Sequence, residues 1–520
     1  MPILLHDLLF KQALKSPESN AIGYKNTWLS YQELSKVCLQ ASRSFNALGV
    51  NKAQRVVVYL PKNLESVISY FAISLSGGIF VPVNPILKAP QVTHIIQDCS
   101  GEVLITNTSR LDKLSIEALK TVKSIILIDG KSRTIAGIKV WHWSDFMSID
   151  LDSSGTSPMI DSDIAAIFYT SGSTGNAKGV VLSHLNIVMG AKSVSAYLPC
   201  KNTDKMLALQ PFSFDYGFSQ LTIAFLTGAS CYLADYFFIN DVFKIIQREQ
   251  ITSLALVPPL WIKLANAYWP SEVGKNIRYF CNTGGKMPAS TLAKLRDNMP
   301  NAEPYLMYGL TEAFRSCYLP PSEIDSRPNS FGKAIPNAQV MVINEQGEKC
   351  APYENGELVH RGALVSQGYW NDTLKTAERF KPVPNSLSQL PLAEIAVWSG
   401  DIVHTDDDGY FYFVSRKDDM IKTSGYRVSP QEVENILNQM PLICEAVVIG
   451  VPHEALGQAL VAIITTQDPN LTSNSVLKFC TEFLPHYMLP KLIKFSETLP
   501  RNSNEKYDRG YWKNEFKNIF

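Results

Sequence analysis

The sequence predicts an α/β fold, with a large N-terminal domain of layered α/β subdomains and a β-rich subdomain, followed by a small C-terminal α/β domain. Three observations support this prediction. Short apolar, β-branched segments alternate with helical segments through residues 1–150, which is typical of buried parallel strands between helices. Strand-like segments follow one another in residues 332–415. At 520 residues, the chain is too long for a single hydrophobic core.

The first elements of the chain have recognisable boundaries. Ser30 and Glu33 form a capping box for a helix that we expect to run to about Ala47, where Gly49 provides the stop. Asn63 is placed to cap the next helix. The strands predicted in this region are residues 55–60, 79–81, 103–106 and 125–128.

Composition and charge argue against several classes of protein. The 48 basic and 48 acidic residues balance, so neither nucleic acid nor an anionic membrane surface is indicated as a partner. The nine cysteines show no CxxC pair and no metal-binding spacing with histidine, which predicts reduced thiols and a cytoplasmic location. The sequence shows neither a signal peptide nor an apolar run of about 18 residues that would span a membrane.

A loop rich in hydroxyls and glycine follows the predicted strand 164–168. Residues 169–179 read YTSGSTGNAKG. Glycines let backbone N–H groups approach an anion, and Lys178 adds a point charge suited to phosphate. A flexible surface linker is the alternative, but linkers seldom carry four hydroxyls and a lysine directly after a core strand. The candidate phosphate-binding residues are Thr170, Ser171, Gly172, Ser173, Thr174, Gly175 and Lys178.

This loop resembles the signature loop of the AMP-forming adenylate ligases, which include acyl-CoA synthetases, amino-acid adenylation domains and firefly luciferase. Ala177 stands where that family commonly has proline. Further segments resembling the family follow in the expected order as far as Arg509, so the resemblance covers essentially the whole chain. It implies that ATP and Mg²⁺ are bound.

Two of these segments are implied to hold the adenine and phosphates. The glycine turn after a predicted strand is the family's floor under adenine, here Gly284, Gly285 and Lys286. In the segment YGLTE, Tyr308 is implied to pack on adenine, with Gly309 beside it. Thr311 is implied to touch the α-phosphate, and Glu312 to hold Mg²⁺, which prefers carboxylate and phosphate oxygens.

Two later segments are implied to hold the ribose and to form a hinge. Asp401 has two acceptor oxygens for the vicinal ribose hydroxyls, and Arg416 also reaches the ribose. The resemblance implies a pivot at Asp418 between a core of residues 1–416 and a mobile domain of residues 417–520. Lys422 would then line the route of an acceptor thiol.

The last segment carries the implied catalytic lysine. A lysine near the C-terminus is normally a solvated charge. In the family, however, the corresponding lysine enters the active site, which here is Lys506, with Glu505 in place of the common glycine. The resemblance implies two steps: formation of an acyl-adenylate, then transfer to the thiol of coenzyme A or of a carrier protein's phosphopantetheine.

The sequence leaves open which carboxylic acid the protein would activate. One explanation is that Ser213 or Asp215 caps the helix that follows. The other is that Asp215 is an acid of the substrate pocket and receives a cation. By alignment, the residues lining the pocket are Asp215, Tyr216, Ser219, Met307, Arg315 and Ser316. Adenylation domains use the aspartate of a Phe-Asp pair for the α-ammonium of an amino acid, and an ion pair with Arg315 would neutralise it.

Three functions therefore remain from the sequence. We favour a ligase that loads a small or cyclic amino acid, such as proline, onto a discrete carrier protein, because no carrier domain is expected within the 520 residues. The first alternative is an acyl-CoA synthetase for a small carboxylic acid. The second is a non-catalytic nucleotide-binding protein that has kept the fold.

Overall fold

The computed structural model describes residues 2–149, 158–170, 177–384, 391–417, 419–423, 426–453, 456–484, 486–502 and 505–520, with the backbone alone at residues 422, 426 and 427. It confirms the predicted fold class, a large α/β body followed by a small α/β domain. Among the described residues, no helix combines the length and the apolar character needed to cross a bilayer.

The first part of the chain confirms both predicted helix starts. Ser30 and Glu33 form the capping box, and the Asn63 side chain accepts from the backbone N–H of Ser66. The elements here are α1 (Asp7–Lys15), β1 (Asn20–Tyr24), β2 (Thr27–Ser30), α2 (Tyr31–Ala47), β3 (Arg55–Val58), α3 (Leu64–Ser76), β4 (Ile79–Pro82), α4 (Ala89–Asp98), β5 (Val103–Thr106), α5 (Thr108–Leu111), a 3₁₀ turn (Ile116–Leu119), β6 (Ser124–Leu127), β7 (Arg133–Ile135), β8 (Ile138–His142) and α6 (Trp143–Met147).

The middle of the chain begins with a hairpin of two antiparallel strands. Thr170 pairs with Lys178 across two antiparallel strands. The elements are β9 (Ile164–Thr170), β10 (Lys178–Ser183), α7 (His184–Ser195), β11 (Lys205–Ala208), α8 (Asp215–Thr227), β12 (Ser230–Leu233), α9 (Ile239–Glu249), β13 (Ser253–Leu256), α10 (Pro258–Ala265), β14 (Tyr279–Asn282), α11 (Ala289–Asn298), β15 (Glu303–Tyr308), a 3₁₀ turn (Thr311–Ala313) and β16 (Cys317–Leu319).

The rest of the chain completes the β-rich part and forms the small domain. The β-rich part contains a 3₁₀ turn (Pro321–Glu323), β17 (Ser330–Ala334), β18 (Ala338–Ile343), β19 (Gly356–Gly362), α12 (Thr373–Arg379), β20 (Phe380–Pro382), β21 (Ile395–Thr405) and β22 (Phe411–Arg416). The small domain contains β23 (Ile421–Thr423), β24 (Tyr426–Val428), α13 (Pro430–Leu437), β25 (Ile443–His453), β26 (Gly457–Thr466), α14 (Ser473–Phe483), a 3₁₀ turn (His486–Met488), β27 (Leu492–Phe495) and α15 (Arg509–Glu515).

The body is built on two sheets. In one, the strand order is β10-β9-β4-β3-β5-β6-β8-β7, and its central strands are parallel. The other has the order β18-β19-β21-β22-β17-β16-β15-β14-β13-β11-β12-β1-β2, with parallel pairing from β12 to β15. Parallel strands point their carboxyl ends to one edge, where ligands bind in open α/β sheets. The loops after β11, β14 and β15 therefore share that edge.

The small domain has a sheet of its own, in the order β24-β23-β26-β25 with β27 beside β26. Helices α13 and α14 pack on one side of this sheet, and α15 packs on the other through Trp512 and Phe516. The domain touches the body at α13: the Ser429 hydroxyl donates to the carbonyl of Val414, and the Lys286 ammonium donates to Asn435 at 3.3 Å.

Candidate active site

Lys506 lies in a short loop that is closed on itself. Arg501 and Tyr507 form an isolated β-bridge, and the Lys506 backbone N–H donates to the Asn502 side chain at 3.1 Å. Arg509 anchors the chain just beyond this loop, because its guanidinium donates to the buried carboxylate of Glu434 at 2.8 and 3.0 Å. This anchor was not predicted from the sequence.

The ammonium of Lys506 interacts with three carboxylates of the body. Removal from water lowers the pKa of this ammonium, and the positive charge of Arg416 lowers it further. The carboxylates of Asp401, Glu312 and Asp215 act in the opposite direction. Part of the Lys506 side chain stays exposed to solvent, so its removal from water is incomplete. The positive charge thus lies within electrostatic range of groups from three separate elements of the body.

Tyr308 and Asp401 form the wall implied for the nucleoside. The Tyr308 hydroxyl donates to Asp401 Oδ2, and the Tyr308 ring lies 4.5 Å from the ring of Phe331. Asp401 and Arg416 are cross-strand partners, with Arg416 Nε 3.3 Å from Asp401 Oδ1. Among the described residues, this buried Oδ1 receives no well-directed hydrogen bond. An unsatisfied buried acceptor suits a ribose hydroxyl.

Gly309 follows Tyr308 because the chain folds back on itself at this point. A Cβ at Gly309 would lie 2.5 Å from the carbonyl oxygen of Phe314, which is too close for any side chain. Gly284 is the other glycine whose conformation matters, since its φ of +79° favours glycine. Both turns therefore leave backbone open at the carboxyl ends of β14 and β15.

Lys286, the last residue of the glycine turn, connects that turn to the small domain. Its ammonium donates to Asn329 at 2.9 Å and to Asn435 at 3.3 Å, and burial lowers its pKa. Lys286 thus contacts residues of both the body and the small domain.

Glu312 and Lys178 both lie close to Tyr369. The Tyr369 hydroxyl donates to Glu312 Oε1 at 2.6 Å, and the Lys178 ammonium lies 5.2 Å from the centre of the Tyr369 ring. Burial lowers the pKa of Lys178, and the charges of Lys375 and Arg379 lower it further. Tyr369 is 57 residues beyond Glu312 and was not predicted.

The residues present fit a magnesium ion carried by a phosphate substrate. Within the described part of the chain, no group of three His, Cys, Asp or Glu side chains is arranged to hold a metal. Mg²⁺ commonly uses one or two protein carboxylates and takes its other ligands from phosphates and water. Glu312 would supply the carboxylate, because only one of its oxygens accepts the Tyr369 hydroxyl.

Asp215 is not a helix cap, so that prediction is wrong. The N-cap of α8 is Phe214, without a side-chain cap, and Asp215 is the first helical residue. Its carboxylate accepts from Arg315 Nη1 at 3.0 Å and from the Thr311 hydroxyl at 3.1 Å. The predicted neutralisation of Asp215 by Arg315 is confirmed.

A cavity of about 30 Å³ lies behind this ion pair, between α7, α8 and the sheet. Of the residues predicted to line the acid pocket, Tyr216, Ser219, Met307 and Arg315 do so. Ser316 lies outside this lining, because it is fully buried and bonded to His360 at 2.9 Å. Sequence reasoning missed the residues of the lining that come from β13, β14 and the next turn of α8: Ser253, Ala255, Tyr279, Cys281, Gln220 and Ile223.

A second cavity, of about 240 Å³, is lined by Ser213 and Phe214 on one side and by Glu505 on another. It therefore borders both the loop that leads to Asp215 and the loop of Lys506. Lys62 lines it as a buried cation, donating to the carbonyl of Leu209 at 2.9 Å and pairing with Asp235 at 2.7 Å.

Some predicted residues cannot be placed. Ser171, Gly172, Ser173, Thr174 and Gly175 lie outside the described residues, as does Asp418. Lys422 lies in β23, and its side chain is not described. Thr170 ends β9, so the phosphate loop is described only at its two edges, by Thr170 and Lys178.

Comparison with known proteins gives matches over nearly the whole chain. A family model described as AMP-binding enzyme matches residues 9–370, and one described as AMP-binding enzyme C-terminal domain matches residues 432–506. One polypeptide of the linear gramicidin synthase of Brevibacillus parabrevis is 27% identical over 98% of this chain, which spans only 10% of that relative's length. A long-chain-fatty-acid–CoA ligase of Bacillus subtilis is 26% identical, over 96% of this chain and 92% of its own.

Solved structures show the same fold. ATP-bound MatB from Rhodopseudomonas palustris superposes with a TM-score of 0.88 at 23% identity, covering 100% of both chains. The o-succinylbenzoate CoA synthetase MenE of Bacillus subtilis, in complex with an acyl-adenylate, gives 0.83 at 23% identity over 98% of both. With both family models matching in order, the chain belongs to the AMP-binding enzyme family, within the superfamily of AMP-forming ligases.

Proposed function

We propose that this protein activates a carboxylic acid with ATP and transfers the acyl group to a thiol. The observation that carries the proposal is that the ammonium of Lys506, from the small domain, lies within electrostatic range of the carboxylates of Glu312, Asp401 and Asp215 from the body. These carboxylates come from three separate elements: the 3₁₀ turn Thr311–Ala313, strand β21 and the first turn of α8. A lysine near a chain end is normally solvated. Such convergence suits a site that must balance the charge of a polyphosphate and an acid.

The first step is attack of the acid's carboxylate oxygen on the α-phosphorus of ATP. A P–O bond forms to give the acyl-adenylate, and the bond to the leaving pyrophosphate breaks. Lys506 neutralises charge between the acid and the α-phosphate, and Lys178 serves the departing phosphates. Glu312 would hold Mg²⁺, and the metal would supply further charge neutralisation when bound. Positioning and electrostatics dominate chemistry of this kind.

The second step is attack of a thiol on the acyl carbon, with AMP as the leaving group. We propose that the thiol enters through the cavity of about 240 Å³, because that cavity borders the loops of both Asp215 and Lys506. Rotation of the small domain about Asp418 would withdraw Lys506 and bring Lys422 to the thiol route. Two reactions in one site require such an exchange of a moving element.

For the substrate, we favour a small carboxylic acid that lacks an α-ammonium. Arg315 occupies the side of Asp215 where an ammonium would bind, and it is only 3% exposed. Coenzyme A is then the simplest acceptor. The second candidate is a small or cyclic amino acid, such as proline, loaded onto a separate carrier protein. The Phe-Asp pair and the 27% identity to gramicidin synthase support that candidate.

The nine cysteines are unpaired in the structure, which suits a reducing compartment, and we expect the enzyme in the cytoplasm. A screen of ATP–pyrophosphate exchange across simple acids and amino acids tests the proposal. We expect exchange with at least one simple acid, followed by AMP release only when coenzyme A is added. Exchange confined to amino acids would favour carrier loading. Nucleotide binding without exchange for any acid would support the non-catalytic alternative.

A further inference from the structure

The side of α8 that faces the small cavity carries an unused amide. Tyr216, Ser219, Gln220 and Ile223 follow the helical spacing of three and four residues, so they share one face, and all of them line the cavity. Two of the four bury polar side chains in a lining that also contains Val194, Leu198 and Met206. The polar side chains that α8 contributes to the cavity are therefore two neighbours, Ser219 and Gln220.

Gln220 is the unusual member of the face. It is 3% exposed, and among the described residues its Nε2 finds no hydrogen-bond partner. Buried amide groups are nearly always hydrogen-bonded, because leaving one unpaired costs free energy.

Three polar groups that share the cavity lining with Gln220 already have partners of their own. The Ser219 hydroxyl donates to the carbonyl of Tyr216 at 2.7 Å, and the Tyr279 hydroxyl lies 3.2 Å from the Cys200 sulfur. Arg315 Nη1 is held by Asp215 and by the carbonyl of Phe314. The amide of Gln220 therefore remains available to a molecule that enters the cavity.

We propose that Gln220 recognises an uncharged hydrogen-bonding group, a hydroxyl or carbonyl, on the tail of the acid substrate. This rests on the proposed function. The group is uncharged because Asp215 already balances Arg315, so a second buried carboxylate or an ammonium would lack a counter-charge. The group is also short: about 30 Å³ of space accommodates roughly two or three non-hydrogen atoms.

The test compares acids that differ only by a methyl and a hydroxyl group of similar size. Such pairs are isovalerate with β-hydroxybutyrate and valine with threonine, together with their longer homologues. The preference for methyl or hydroxyl is read from the pair that gives the highest rate of exchange. In the wild type, we expect the kcat/KM of exchange to favour the hydroxyl member by at least about tenfold, because a site built for hydrogen bonding rejects the analogue that lacks the group. Gln220→Met should remove this preference.

The matched control is Ile223→Val, one turn further along the same face. It changes the size of the cavity but not its polarity, so both members of a pair should change by the same factor. Exchange without a preference for the hydroxyl member, or a preference that survives in Gln220→Met, would overturn the role of Gln220. Absence of exchange with every acid would instead overturn the proposed function, so the two failures are distinguishable.

Discussion

Arg315 Nη1 lies 3.0 Å from Asp215 Oδ2, and this ion pair joins a carboxylate that acts on Lys506 to a residue that lines the small cavity. The guanidinium also lies 4.6 Å from the ring of Tyr216, so it is held by charge and by an aromatic face. The strained turn at Phe314, with φ of +60°, precedes Arg315 directly. The pair therefore belongs to the wall of the proposed acid site.

Asp215→Ala should lower the free energy of unfolding by about 3 kcal/mol, because it leaves the buried guanidinium of Arg315 without its counter-charge. Loss of a helix cap would cost only about 1 kcal/mol. Urea denaturation measures the difference. The double variant Asp215→Asn, Arg315→Met, which removes both charges, should recover most of the loss. A cost near that of a cap in the single variant would contradict this account.

Lys506→Ala should reduce ATP–pyrophosphate exchange by about 10²- to 10³-fold, the usual cost of removing one charge-stabilising donor. Thermal unfolding should be nearly unchanged, because the side chain of Lys506 keeps solvent contact. Lys478→Ala is the matched control, since that lysine is an exposed residue on α14 of the same domain. Exchange within a few-fold of the wild type in Lys506→Ala would refute the assigned role.

The pH dependence of exchange follows from the same lysine. Burial and the charge of Arg416 lower the pKa of Lys506, so its ammonium loses the proton at a lower pH than the usual 10.5. Because the role requires the charged form, kcat/KM for ATP should decline on the alkaline side at a pH below 10.5. Lys506→Arg should lose this decline, since a guanidinium stays protonated. An unchanged alkaline decline in that variant would assign it to another group.

Asp401→Asn should raise the dissociation constant for ATP by about tenfold or more, since hydrogen bonds to a charged acceptor are the stronger kind. Tyr308 would also lose its charged acceptor. Titration calorimetry with ATP and its 2′-deoxy analogue gives the measurement. Discrimination between the two nucleotides should shrink in the variant. Equal discrimination in both proteins would show that Asp401 does not read the ribose.

Local signals in the sequence were sufficient for much of the fold. The capping box of Ser30 and Glu33 and the cap at Asn63 depend on neighbours a few residues away, and both are found. The strand β10 was missed, because its apolar run VVLS directly precedes a helix and has no turn residue between them. The predicted strand 55–60 ends early, at Val58.

Contacts between distant segments explain what was not predicted in the site. Tyr369 binds Glu312 from 57 residues away, and no local pattern indicates that pairing. Lys62 would be expected in water, yet it is buried by a partner on another loop, Asp235. The free amide of Gln220 becomes visible only when the bonds of its neighbours are known.

The bridge from Lys286 to Asn435 has one more consequence. Lys286 lies in the glycine turn of the body, and Asn435 lies on α13 of the small domain. Any displacement that carries α13 away must break this bond and leave the ammonium of Lys286 bonded to Asn329 of the body alone. If the glycine turn binds nucleotide as proposed, the position of the small domain and the affinity for nucleotide would be coupled, each changing the other by the same free energy.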